Sequence, residues 1–126
     1  MNNSKHSNVL IIGGGCAGIS VASRLHSLKS DLNISIIEPS DKSLYQAAWT
    51  LVGAGAYDKD KTIKSMSEVM PSYVNWIKEF AESFSPESNS VKTSSGEYSY
   101  DYLVVCPGLK INLDGVAGLK ENRLLC

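Results

Sequence analysis

The chain alternates short apolar runs with longer polar stretches. The first run, "VLII" from Val9 to Ile12, ends in three glycines and predicts a strand buried on both faces. Helical spacing follows: Ala17, Val21, Leu25 and Leu28 fall at i, i+4, i+8 and i+11, so these four are expected to face inward together. "NISIIEP", Asn33 to Pro39, predicts a second buried strand, stopped by a proline that cannot donate to a ladder. Leu44 to Gly53 predicts a short helix with Ala47, Ala48 and Leu51 inward. "YDKDKT" reads as a solvated loop, and Ile63 to Met70 as a helix ended by Pro71.

From Tyr73 the period shortens. Val74, Trp76 and Ile77 open a strand expected to run on through Phe80 and Ala81. "SPESNS" is turn chemistry, and "VKT" and "EYSY" flank "SSG" as a small hairpin. "DYLVVCPG", Asp101 to Gly108, predicts a further buried strand, and Gly115 and Gly118 mark turns in the tail. This order predicts an α/β fold: a Rossmann-like parallel sheet with a small antiparallel β-meander insertion at about 74–100, in one domain over 1–126.

Composition adds mainly exclusions. At 43% apolar and 20% charged residues the chain is globular in character, not disordered. A net charge of -1 offers no electrostatic case for nucleic acid. No apolar run approaches the ~18 residues of a spanning helix. The polar start "MNNSKHSN" lacks the apolar stretch of a signal peptide, so a cytoplasmic location is expected. The three cysteines, Cys16, Cys106 and Cys126, form no C-x-x-C pair and have no histidine near in sequence, so no metal site is expected.

The chemistry concentrates in "GGGCAG", which satisfies G-x-G-x-x-G through Gly13, Gly15 and Gly18. Gly13 permits a tight strand-to-helix turn, Gly15 lets a pyrophosphate approach the backbone, and Gly18 lets the helix sit close to the sheet. The free N–H groups of the helix start would face the anion. Glu38, twenty residues past Gly18 at the end of the second strand, stands where a carboxylate accepts ribose hydroxyls. An acid there disfavours a 2′-phosphate and hence NADP. The bland alternatives are a glycine turn without a ligand and a solvated strand end. The motif alone does not separate FAD from NAD.

The later chain does. A meander followed by Tyr100, Asp101, Leu103, Val104, Cys106 and Gly108 resembles the last strand of the flavoproteins with two dinucleotide-binding domains. Cys106-Pro107 departs from their commoner Ala-Thr. "EPSDKSLYQAAWTLVGAG" then resembles the sulfide:quinone oxidoreductase family, matching at Tyr45, Gln46, Trp49, Thr50 and "LVGAG". Pro71, Trp76, Ile77 and Lys78 match its later segment, while Ser43, Leu44 and Ala47 depart from it. The resemblance covers nearly the whole chain.

The resemblance implies FAD contacts at Gly13, Gly15, Cys16, Ala17 and Gly18, with Cys16 and Ala17 over the pyrophosphate. It implies Glu38 on the adenosine ribose, Gln46 near the sugar-phosphate arm, the Ala81 backbone at the adenine edge and Gly108 near the flavin. Gln46 could equally be a surface amide, and Tyr45 and Trp49 read first as core aromatics. Family members oxidise sulfide at a redox cysteine pair and pass electrons through FAD to a membrane quinone. The resemblance places that pair, a second nucleotide domain and the membrane-docking part beyond residue 126. The fold is therefore expected to be incomplete and the chain alone inactive. The complete enzyme is expected to be peripheral on the inner face of a membrane, a bacterial one rather than a mitochondrial one. Cys16 reads as set by its backbone position and Cys106 as a small apolar residue. Cys126 is a candidate for the sulfur chemistry. The alternatives are another flavoprotein of the same broad type, such as an NADH:quinone oxidoreductase or a flavocytochrome-type sulfide dehydrogenase, and a nucleotide-binding module without catalysis.

Overall fold

A computed structural model of the chain describes residues 5–118. Strand β1 (His6–Ile12) leads through the glycines into helix α1 (Cys16–Leu28) and strand β2 (Ile34–Ile37). Strand β3 (Lys42–Leu44), helix α2 (Trp49–Gly53), strand β4 (Ile63–Ser65) and helix α3 (Met66–Val69) make a small excursion. Strands β5 (Val74–Ile77), β6 (Ser83–Ser85), β7 (Ser90–Thr93) and β8 (Gly96–Val105) complete the set.

Six strands form one sheet in the order β5-β2-β1-β8-β7-β6, and β3 pairs with β4 apart from it. β5, β2, β1 and the second half of β8 run parallel, whereas β6, β7 and the first half of β8 are antiparallel. β1 is central because its apolar run suits burial on both faces: Leu10 and Ile11 are fully buried on opposite sides. Each such side chain contributes about 1.5–3 kcal/mol on burial. One face carries Val9, Ile11, Ile34 and Ile36 under α1; the other carries Leu10, Ile12, Ile37 and Ile77 with Val91 and Tyr100.

The fold class agrees with the expectation, and several details differ. The strand from Val74 stops at Ile77 and pairs parallel with β2, so it is the third strand of the parallel sheet. The antiparallel part begins at Ser83, later than the expected 74, because the chain turns straight after β5, where the Glu79 N–H donates to the Ile77 carbonyl at 3.0 Å. Glu97 and Val104 belong to one ten-residue strand, which changes partner along its length from β7 to β1. In α1 the inward stripe is Gly18, Val21, Ala22 and Leu25, while Ala17 and Leu28 are exposed, since the helix meets the sheet where Gly18 removes bulk.

The predicted helix over 44–53 is shorter and differently oriented. Tyr45 enters a short 3-10 turn, and of the three expected inward residues only Ala48 is buried. Tyr45 and Trp49 are exposed (59% and 39%), not core. Likewise Ile63 to Ser65 is strand, and helix begins only at Met66. There Ser65 and Glu68 form a capping box that fixes the start.

Candidate functional site

The site is built at the carboxyl end of the parallel strands, where the chain leaves β1 through the three glycines. Gly13 adopts φ +101°, and a Cβ there would lie 2.2 Å from the Cys106 carbonyl oxygen, so the turn passes β8 at a distance only glycine permits. A Cβ on Gly18 would sit 1.9 Å from the Gly13 carbonyl oxygen. Gly15 has the opposite surroundings: nothing lies within 4 Å of its Cβ position, so its backbone is open to solvent. Cys16 and Ala17, exposed, begin α1 beside that opening.

Glu38 reaches the turn from the end of β2. Its Oε2 accepts from the Gly14 N–H at 2.8 Å and its Oε1 from the Ser40 N–H at 2.7 Å. The backbone is held as well: its N–H donates to the Ile77 carbonyl at 2.9 Å, and its carbonyl accepts from Trp76 Nε1 at 2.8 Å. Glu38 is therefore a fixed, half-buried carboxylate, not a solvated strand end.

Two clefts flank the turn. One, of about 330 Å³, lies between Gly13, Glu38, Ala81, Phe80 and Val105. The other, of about 640 Å³, opens beyond Gly15 and is lined by Cys16, Ala17, Gln46, Trp49, Cys106 and Gly108 among others. The structure thus brings Gly13, Glu38 and Ala81 to one cleft and Gly15, Cys16, Ala17, Gln46 and Gly108 to the other. Gly18 serves packing beneath them. Cys126 lies outside the described residues.

Burial pushes the Cys106 thiol above the ordinary thiol range, and its Sγ points at the Gly13 carbonyl, 3.8 Å away. Such a thiol stays protonated and serves packing. Among the described residues no cluster of histidine, cysteine, aspartate or glutamate could hold a metal ion, and no helix is long and apolar enough to cross a membrane.

Two residues without a role in the sequence reading stand out. Gly14 was the x of the motif, yet it touches Glu38 directly. Trp76 was only a matched position, yet its indole anchors the Glu38 backbone. The run of three glycines where the motif asks for two was the available signal for the first. Nothing in the local pattern signalled the second, which depends on the pairing of β2 with β5.

A parallel sheet with a glycine turn after β1 and a fixed carboxylate after β2 defines a Rossmann-like α/β domain. Residues 7–125 match the family model described as pyridine nucleotide-disulphide oxidoreductase. The chain is 46% identical over 116 residues to the mitochondrial sulfide:quinone oxidoreductase of Dictyostelium discoideum, covering 90% of this chain and 26% of that protein. It is 39% identical over 118 residues to the Mus musculus protein of the same name, covering 93% and 26%. The X-ray structure of the sulfide:quinone oxidoreductase from Aquifex aeolicus superposes with a TM-score of 0.75 at 34% identity, covering 94% of this chain and 28% of that one. The chain belongs to the pyridine nucleotide-disulphide oxidoreductase family. It spans about a quarter of the length of these relatives.

Proposed function

We propose that this chain is the FAD-binding segment of a flavoprotein that oxidises sulfide to sulfane sulfur with a quinone as electron acceptor. One observation carries the nucleotide part: the open backbone at Gly15 lies between a cleft with a fixed carboxylate, Glu38, and a larger, mostly apolar cleft. That arrangement fits an elongated ligand with a ribose at one end, a diphosphate in the middle and an apolar ring system at the other. The identity to proteins named sulfide:quinone oxidoreductase supports the choice of donor and acceptor.

In this reading Gly15 and the first N–H groups of α1 hold the pyrophosphate, with Cys16 and Ala17 over it. Glu38 accepts the ribose hydroxyls, the Ala81 backbone borders the adenine, and Gln46 and Gly108 face the ribityl and flavin end. Gly13 and Gly18 keep turn and helix close enough for this. FAD, when bound, supplies the two-electron chemistry between donor and acceptor. The redox cysteine pair and the membrane-docking part that the resemblance implies are assigned in this reading to sequence outside this segment, so the segment alone is expected to be inactive.

The test is a quinone-reduction assay on the complete protein that carries this segment. Sulfide-dependent reduction of a short-chain quinone is expected, with FAD released on denaturation. Reduction driven by NADH and not by sulfide would replace this reading with an NADH:quinone oxidoreductase. The absence of any flavin would overturn it. The 126-residue chain by itself is expected to retain little or no FAD after gel filtration.

A further inference from the structure

We propose that Gly14 is a positioning residue that sets nucleotide specificity through Glu38, a role distinct from those of the three motif glycines. The inference deepens the nucleotide reading above and rests on it. Gly14 is buried, and its N–H donates to Glu38 Oε2 at 2.8 Å. A Cβ at Gly14 would lie 2.8 Å from both Cβ and Cγ of Glu38 and 3.2 Å from Cε of Met70. The methionine methyl is the end of a flexible side chain and can give way. The Glu38 backbone cannot, because it is pinned by Ile77 on one side and Trp76 on the other. Cβ therefore stays where that backbone puts it, and the overlap is relieved by swinging Cγ and the carboxylate aside.

The contact decides what the carboxylate can recognise. Each carboxylate oxygen has about two acceptor sites. In Glu38 one site on each oxygen is taken by a backbone N–H, from Gly14 and Ser40. One site on each oxygen is left, and a pair of adjacent hydroxyl donors fits that pattern. A 2′-phosphate offers no donor and brings like charge. Any side chain at position 14 displaces the carboxylate and with it this discrimination.

Calorimetric titration of the complete protein that carries this segment, stripped of flavin, with ADP and with 2′-phospho-ADP tests the proposal. The unmutated protein should favour ADP. Gly14→Ala should lower that preference by about tenfold, the size of one displaced charge-assisted hydrogen bond. In a Glu38→Ala background, adding Gly14→Ala should change the preference by less than about twofold, because the group it acts through is gone. Equal weakening of both nucleotides by Gly14→Ala would overturn the proposal and leave the nucleotide reading standing. Full effect of Gly14→Ala in the Glu38→Ala background would do the same. If the unmutated protein binds neither nucleotide, the dinucleotide reading falls first and this one with it. Should Gly14→Ala fail to fold, the Gly14 amide proton decides. It should shift upfield in Glu38→Gln, and an unmoved resonance would overturn the contact.

Discussion

At the scale of single residues, the site depends on atoms that are missing as much as on those present. Replacing Gly13 with alanine would push a methyl into the Cys106 carbonyl and force a side chain onto φ +101°. The conformation alone costs about 1–3 kcal/mol, and the overlap adds to it. Urea denaturation should show a clearly lower midpoint with an unchanged slope. The two described thiols should separate by pH. Cys16 is exposed, whereas burial raises the Cys106 value. Since the thiolate is the nucleophile, iodoacetamide at neutral pH should label Cys16 well ahead of Cys106, by peptide mapping. The Cys106 rate should climb only above the ordinary thiol range. The sign for stability follows. Below that range both states are protonated and nothing changes; above it the unfolded thiol ionises first, so stability falls as pH rises.

Elements show where reading the chain by period succeeds. β1 and β2 were legible because each is a short apolar run closed by a breaker, Gly13 in one case and Pro39 in the other. The glycine turn and Glu38 were legible because motif spacing and strand end coincide. The stretch from Leu44 to Gly53 was not. Its apolar residues suggested a buried helix, but in the structure Leu44, Tyr45, Ala47 and Trp49 border the larger cleft, and only Ala48 is buried. Burial there is set by what occupies the cleft, which local sequence does not encode. The change of partner along β8 was hidden for a similar reason: a strand's neighbours depend on topology, not on its own pattern. The elements also differ in weight. Leu10→Ala in the fully buried centre of β1 should cost about 2–5 kcal/mol. Lys78→Ala, which breaks the exposed pair with Asp41, should cost under about 1 kcal/mol. Thermal melts of the two variants should differ accordingly.

Across the whole molecule, exposed apolar side chains lie on several faces, and one group of them rims the larger cleft. Leu44, Trp49, Leu109 and Ile111 are exposed around the larger cleft. Nearby, Tyr102 to Val105 pair with β1 but have no second neighbouring strand among the described residues, and Tyr102 is 72% exposed. An apolar patch beside an open strand edge promotes association. Sedimentation velocity should find the isolated chain self-associating with rising concentration. Tyr102→Lys, which adds charge to that edge without touching the pairing to β1, should shift it toward monomer.

The position of β1 has a consequence in time. It is made before the other described strands and lies in the middle of the sheet, yet one of its two neighbours comes from far along the chain: Asn8 meets Asp101, 93 residues later. β2 and β5 can align with β1 as soon as Ile77 is available, giving a three-stranded intermediate with β1 at its border. Closing the remaining loop is entropically costly and slow relative to local pairing. On a translating ribosome, a pause between Ile77 and Val105 would therefore leave a strand that is buried on both faces in the finished fold as a bare edge. Synthesis through this interval is the time at which the nascent chain most needs a chaperone.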